Sequence, residues 1–346
     1  MKINTKQLQD ALSIVKPGLA NKEILDQTTS FAFTDGRIVT YNDEISISHP
    51  FETEFEGAVK AEELYGLLGR IEKDEVSIVM QETELLISSG RVKAGLRLET
   101  EIRLPLKELP KKMEKLSHPR QFRGFVGMAM QTCSNDTSQP RLTCVYIRED
   151  GVITGSDGYR LVRCKGAPLP IKSFLLPARN AVEVVKLQPV EVALEKGWVH
   201  FRNKEGSVIS CRKMDDDYVP EDQIEEVLRL EKAGKVEFPE RIDRMLDRVH
   251  QFAKRDSFLE EIIMVEVDGG KITLKAATAE TGSWIEERST IETDKSFKFV
   301  VTPSLFREVT NITRTAVFDK SMRKIKFEGE DWKYVLMLRD PETNSK

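Results

Sequence analysis

Apolar and polar positions follow one recurring succession along the chain: a short strand, a small or capping residue, then an amphipathic helix. It opens at Lys2-Ile3-Asn4-Thr5-Lys6-Gln7-Leu8 and returns at Ala58-Val59-Lys60-Ala61-Glu62-Glu63-Leu64. Further copies begin at Gln121-Phe122-Arg123, Leu175-Leu176-Pro177, Glu237-Phe238-Pro239 and Val300-Val301-Thr302-Pro303. With Ile3, Val59, Phe122, Leu176, Phe238 and Val301 as strand anchors, the steps are 56, 63, 54, 62 and 63 residues. Three of the helices follow a proline, which suits a first turn whose N–H groups have no helical partner. After each helix the pattern changes to strict alternation, the period of a half-buried strand. Phe31 to Val39, Val145 to Ile153 and Val265 to Thr273 each alternate about an Asp-Gly pair. Such pairs supply the positive φ values that tight hairpins need.

Six helix-plus-strands units are therefore predicted, an α+β fold of antiparallel sheets. Taken in pairs they give three similar domains of about 115 residues, each with two helices on its sheets. The expected spans are 1–115, 116–232 and 233–346, the last ending in a short polar tail from Asp340 to Lys346. Pro110 to Pro119 and Asp215 to Lys235 read as linkers.

A helix with one apolar stripe covers a sheet and turns its other faces outward. In the fifth helix Ile242, Met245, Leu246, Val249 and Phe252 form the apolar face. Arg241, Arg244, Arg248, Gln251 and Arg255 form a second stripe, about 120° away at 100° per residue. Asp243 and Asp247 fall on the far side. The sixth helix carries Arg307, Asn311 and Arg314; Lys6, Arg123, Arg179 and Lys186 take polar positions on the others. One such stripe is ordinarily a solvated face. Its recurrence points to a shared anionic ligand whose phosphates are contacted without the bases being read.

Composition narrows the choices. The 346 residues are 40% hydrophobic, enough for a sizeable core, and hold 53 basic against 57 acidic side chains, a net charge of −4. A globally basic nucleic-acid binder is excluded, a local basic surface is not. No apolar run reaches the roughly 18 residues of a membrane span. The N-terminus turns amphipathic at once, so a cytoplasmic protein is expected. Cys133, Cys144, Cys164 and Cys211 form no C-x-x-C pair and read as reduced, packed thiols. No metalloprotease, P-loop, dinucleotide or nucleophile-elbow motif is present. His49, His118, His200 and His250 have no ligand spacing, and Asp215-Asp216-Asp217 reads as solvated charge. A hydrolase built on Ser156 or Asp157 would lack a nameable base. Neither catalysis, a cofactor nor a bound metal is expected.

Gly155-Ser156-Asp157-Gly158-Tyr159-Arg160-Leu161 resembles the middle domain of the bacterial DNA polymerase III sliding clamp (β subunit), which carries Thr-Asp-Gly-His/Tyr-Arg-Leu there. Phe174-Leu175-Leu176-Pro177-Ala178-Arg179 is similar to that family's strand–Pro–Arg entry to a helix. Ser89-Gly90-Arg91-Val92-Lys93 is similar to its Ser-Gly-Arg segment. Lys333-Tyr334-Val335-Leu336-Met337-Leu338-Arg339 resembles its terminal segment. The chain departs from the family in Ser156, in lacking a proline in the terminal segment, and in the acidic Asp217-Tyr218-Val219-Pro220-Glu221-Asp222. A divergent, virus-encoded member would look like this.

The resemblance implies a head-to-tail homodimeric ring that encircles duplex DNA and confers processivity on a polymerase in DNA replication. Its DNA-facing cations would be Lys6, Lys22, Arg123, Arg179, Lys186, Arg241, Arg244, Arg248, Arg307 and Arg314. A pocket for short peptides of the DNA polymerase and the clamp loader would use Ser156, Gly158, Tyr159, Arg160, Leu161, Pro220, Val335, Met337, Leu338 and Arg339. The competing expectation is a clamp-like interaction protein that binds replication factors without encircling DNA.

Overall fold

Asn4 starts the first helix by accepting the N–H of Gln7 on its side-chain oxygen at 2.9 Å. This satisfies one of the donors a helix start leaves open. Helix α1 (Thr5–Val15) then buries Leu8, Ala11, Leu12 and Val15, and α2 (Ala61–Leu68) buries Ala61, Leu64 and Leu68 against it. Helix α3 (Pro119–Gln131) buries Phe122, Val126 and Ala129; α4 (Ala178–Leu187) buries Ala181, Val184 and Leu187. Helices α5 (Glu221–Leu228), α6 (Ile242–Ala253) and α7 (Pro303–Thr310) complete the set among the described residues. These residues are 1–106, 109–257, 260–278, 280–293 and 295–339 of a computed structural model. The expected polar tail, 340–346, lies outside them.

Several sequence expectations need correcting. Phe122 is not a strand anchor but lies inside α3, because Pro119 opens that helix and Phe122, Val126 and Ala129 recur at i, i+4 and i+7. The preceding short strand is Glu114–Lys115, within the first expected linker, and Met113 and Leu116 beside it are buried. The second expected linker holds α5 and the strand Lys232–Glu237. Ile224 and Leu228, one turn apart, give α5 a buried edge that its acidic neighbours mask. On α6, Ala253 rather than Phe252 completes the buried stripe. At 100° per residue Ala253 falls roughly 20° from the centre of the apolar face and Phe252 about 80° off it.

Hairpin chemistry is as expected at Asp35-Gly36, where both residues take positive φ values of 50° and 67°. In the Ile263–Asp268/Lys271–Ala277 hairpin the turn lies one residue later: Asp268 pairs with Lys271, and Gly269 and Gly270 take φ values of 54° and 74°.

The chain forms two compact units, one of Met1–Met130, Ile147–Gly151 and Ala167–Asp216, the other of Gln131–Tyr146, Val152–Gly166 and Asp217–Lys346. In the first unit a single antiparallel sheet of 12 strands runs through both the N-terminal third and later segments. Its seam joins Ile45–Pro50 to Val208–Arg212, with Ile47 opposite Ile209. Near it Tyr41 packs on Trp198 at 6.3 Å between ring centroids. In the second unit Val152–Ser156, Arg160–Lys165, Trp332–Met337, Lys324–Glu328, Thr315–Asp319 and Lys232–Glu237 are neighbours in that order. A separate sheet is ordered Trp284–Thr290, Lys271–Ala277, Ile263–Asp268, Phe297–Val301. Its unit is centred on aromatic rings: Phe306 meets Phe238 edge-on at 5.1 Å and Phe299 edge-on at 6.0 Å. These are favoured quadrupole geometries.

All four cysteines are buried and none is in a disulfide. Burial pushes the Cys164 thiol up to about 12. His200, fully buried on Trp198–Arg202, sits 2.7 Å (Nδ1) from Ser210 Oγ and 3.6 Å (Nε2) from Glu195. Burial holds its pKa below the ordinary 6.5, and burial and Arg37 do the same for His49. The folded chain therefore binds fewer protons than the unfolded chain below that pH, so stability present above 6.5 falls as the medium is acidified. Urea unfolding should show a lower midpoint at pH 5.5 than at 7.5, with the difference reduced in His200→Asn. An unchanged difference in that variant would assign the acid sensitivity elsewhere.

Candidate nucleic-acid and partner interfaces

Most of the expected cations are neutralised locally. Arg248 of α6 donates through Nε to Glu287 at 2.9 Å and also through Nη2. Arg307 of α7 pairs with Asp247 of α6, so a carboxylate placed on the far side of one helix meets the basic stripe of the next. Arg314 lies past the end of α7 at Thr310 rather than on the helix as expected, and pairs with Glu237 at 3.1 Å; Arg179 pairs with Glu44 at 2.5 Å, Lys6 with Asp10 at 2.5 Å and Lys186 with Glu183 at 2.8 Å. Among the described residues Lys22, Arg123, Arg241 and Arg244 have no ion pair. Six of the ten expected cations thus carry a carboxylate partner. Most of these pairs are solvent-exposed and worth only about 0–1 kcal/mol, so a phosphate can compete with the carboxylate.

Sequence reading passed over Arg120 and Lys204. With Arg123 and Lys186 they line one cleft of the first unit. The signal was available for Arg120: starting the helix at Pro119 instead of Gln121 places it on the first turn. Lys204 lies in the turn after Trp198–Arg202 and carries no periodic signal.

The second constellation is built on the Ser156–Arg160 turn. Gly158 takes φ 86°, a region a side chain would strain. Ser156 Oγ donates to the Arg160 carbonyl at 2.8 Å and accepts from Gly158 N at 3.2 Å. Asp157 Oδ1 accepts from the N–H groups of Tyr159 and Arg160 at 2.9 and 3.0 Å. Both candidate nucleophile side chains are therefore spent on holding the turn.

Arg160 is the hub. Its guanidinium is 8% exposed and donates to Asp157 Oδ2 at 2.9 Å, to the Gln131 carbonyl at 2.6 Å, to Glu308, and to the Tyr334 hydroxyl at 3.4 Å. Burial alone would disfavour its charge; Tyr334, Glu308 and Asp157 outweigh that and hold its pKa above the usual value.

Arg160–Lys165 pairs with Trp332–Met337, placing Leu161 opposite Val335. Met337 N donates to the Tyr159 carbonyl at 2.8 Å. Leu161, Val335 and Leu338 are buried, while Tyr159 and Met337 stay 42% and 39% exposed. Arg339 N–H donates to the Val300 carbonyl at 2.9 Å. Pro220 occupies the N-cap of α5. The acidic departure at Glu221 also has a local cause: Arg163 donates to Glu221 at 2.8 Å and to Glu225 at 2.5 Å. Tyr218 is buried with its ring stacked on Tyr146 at 5.0 Å.

Among the described residues no group of His, Cys, Asp and Glu is arranged to hold a metal ion. None of their helices is long and apolar enough to cross a membrane.

No family model matches the chain, and no curated protein matches it. Solved structures do. A DnaN sliding clamp (DNA polymerase III subunit beta) from Pseudomonas aeruginosa bound to griselimycin superposes with a TM-score of 0.83 at 16% identity, covering 98% of this chain and 99% of that one. The DNA polymerase III beta chain of Streptococcus pneumoniae gives 0.84 at 14% identity, over 98% and 99%. The beta subunit of Thermotoga maritima gives 0.82 at 16% identity, over 98% of both. The fold of this chain is therefore that of the bacterial β clamps, three domains of helices on antiparallel sheets.

Proposed function

We propose that this chain is a divergent member of the β sliding clamp family, which encircles duplex DNA as a homodimer and tethers a replicative polymerase. The observation that carries the reading is the fold match over 98% of both chains. The matched structures are bacterial; a viral source finds no support in them. In this reading the domains are 1–115, 116–232 and 233–346, and the protein is a non-enzymatic cytoplasmic tether.

Two open sheet edges suit head-to-tail closure. Trp284–Thr290 is the outermost strand of its sheet, and its Trp284 is 71% exposed. Val92–Glu99 pairs with Gly57–Lys60 only through Leu98 and Glu99, leaving the backbone of its earlier residues open on that side. Unpaired edges of this kind recruit strands from another chain. Polar helix faces would make weak, sequence-blind contacts, and topological linkage rather than affinity would keep the ring on DNA. Tyr159 and Met337 would meet the partner peptide over a floor of Leu161, Val335 and Leu338, framed by Pro220 and Arg339, with Arg160 holding the turn in place. Methionine suits such an adaptable surface.

The carboxylate partners of six cations favour a second reading, a clamp-like protein that binds replication factors without encircling DNA. Negative-stain imaging and sizing separate the two. The ring reading expects a hole and a mass twice the 39.5 kDa of the chain. A strict monomer at high concentration would overturn it.

A further inference from the structure

The cleft shared by Arg120, Arg123, Lys186 and Lys204 has a volume of about 850 Å³ and only one acidic residue in its lining, Glu205. Its cations come from three separate elements. Arg120 and Arg123 lie on α3, Lys186 near the end of α4, and Lys204 in the turn between Trp198–Arg202 and Val208–Arg212. The backbone holds them there. Gln188 ends α4 in a left-handed conformation at φ 59°, and Pro189 turns the chain along the cleft wall. Asn203 Oδ1 accepts the Ser207 N–H at 2.9 Å, and Gly206, at φ 81°, closes the turn that carries Lys204. Ser207 Oγ lies 2.8 Å from His49 Nδ1, giving the cleft a polar pair.

Two features distinguish this place from the basic faces. Of its four cations only Lys186 has a carboxylate partner, Glu183, among the described residues, so three unpaired cations converge on one cleft. The cleft lining also includes apolar residues beside its polar ones, among them Ile14, Pro119 and Pro189. Ile14 is one of few large apolar side chains left exposed, at 38%.

We propose that this cleft binds one nucleotide unit of an unpaired nucleic-acid strand, its phosphate on the cations and its sugar and base against the apolar residues. A duplex offers only its phosphates, because its base faces are stacked inside; the apolar residues would stand idle against it. An unpaired nucleotide presents both chemistries at once. The cleft supplies aliphatic and proline surfaces, so binding is tolerant of base identity. The site lies within one unit and needs neither a second copy nor ring closure. It goes beyond the tethering reading, and short linear strands test it separately.

The experiment is fluorescence anisotropy of a labelled twelve-residue oligothymidylate with the intact protein across a salt series. Arg120→Glu/Arg123→Glu/Lys204→Glu should weaken binding roughly tenfold or more and lower the salt slope by about 0.7, the value for one phosphate no longer neutralised. Lys172→Glu/Lys196→Glu, which changes exposed cations outside both the cleft and the expected DNA-facing set, should leave affinity within about twofold. The neutral variant Arg120→Gln/Lys204→Gln repeats the direction if charge reversal disturbs folding, which circular dichroism reports. Thymidine monophosphate should displace the strand at concentrations where inorganic phosphate does not, and Ile14→Asn should remove that advantage. Equal displacement by inorganic phosphate would reduce the cleft to a simple anion site and overturn the nucleotide assignment. Equal loss in both charge-reversal variants, or no strand binding, would overturn the site.

Discussion

Arg160→Ala should lower the stability of the protein by about 3–5 kcal/mol, the range for breaking a buried ion pair from one side. Asp157 is 9% exposed at its side chain and would keep a buried charge without its guanidinium. The Gln131 carbonyl would lose its side-chain donor as well. Glu308, at 45% exposure, can turn to water and contributes least. The same substitution frees the turn that presents Tyr159, so polymerase stimulation should fall with stability. Tyr159→Ala/Met337→Ala is the contrasting variant: both side chains are partly exposed, and stimulation should be lost while the urea midpoint changes little. A loss below about 1 kcal/mol in Arg160→Ala would place the hub among weak surface pairs. Full stimulation by the double variant would reject the partner site.

The second large effect concerns DNA. Arg241→Glu/Arg244→Glu should shorten retention on closed circular duplex and lower the salt dependence of binding by about 2, at about 0.9 for each phosphate no longer neutralised. Arg248→Gln/Arg307→Gln should do less, because these guanidiniums already spend their bonds on Glu287 and Asp247. Retention assays on nicked-closed circles in a salt series read both quantities. An equal drop in the two variants would show that the carboxylates yield freely to phosphate. No drop in either would remove the lining role from α6 and α7.

How much of this was legible before the fold was known differs by residue. The stripes of α1, α2, α4, α6 and α7 could be read because apolar residues recur at helical spacing. Helix α5 was hidden because only Ile224 and Leu228 show among Glu221, Asp222, Glu225 and Glu226, and a charged run reads as loop. The start of α3 was misplaced because Pro119 looked like the end of a linker rather than a first turn.

Charge pairing was the least legible. Lys6 with Asp10 and Lys186 with Glu183 lie at helical spacing and could have been paired from sequence. Arg248 and Glu287 are 39 residues apart, Arg307 and Asp247 are 60 apart, and no local pattern links them. The turn at Asp157-Gly158 was recognisable, but the burial of Arg160 depends on Glu308 and Tyr334, 148 and 174 residues away.

The seam between Ile45–Pro50 and Val208–Arg212 consists of peptide groups bonding to peptide groups. Such a join demands extended backbone and the right alternation of inward and outward positions; a slip by one residue would turn every side chain the wrong way. It demands almost nothing of side-chain identity. Nearly every residue along such a junction can therefore differ while the strand pairing stays the same, which accounts for a fold shared at 14–16% identity.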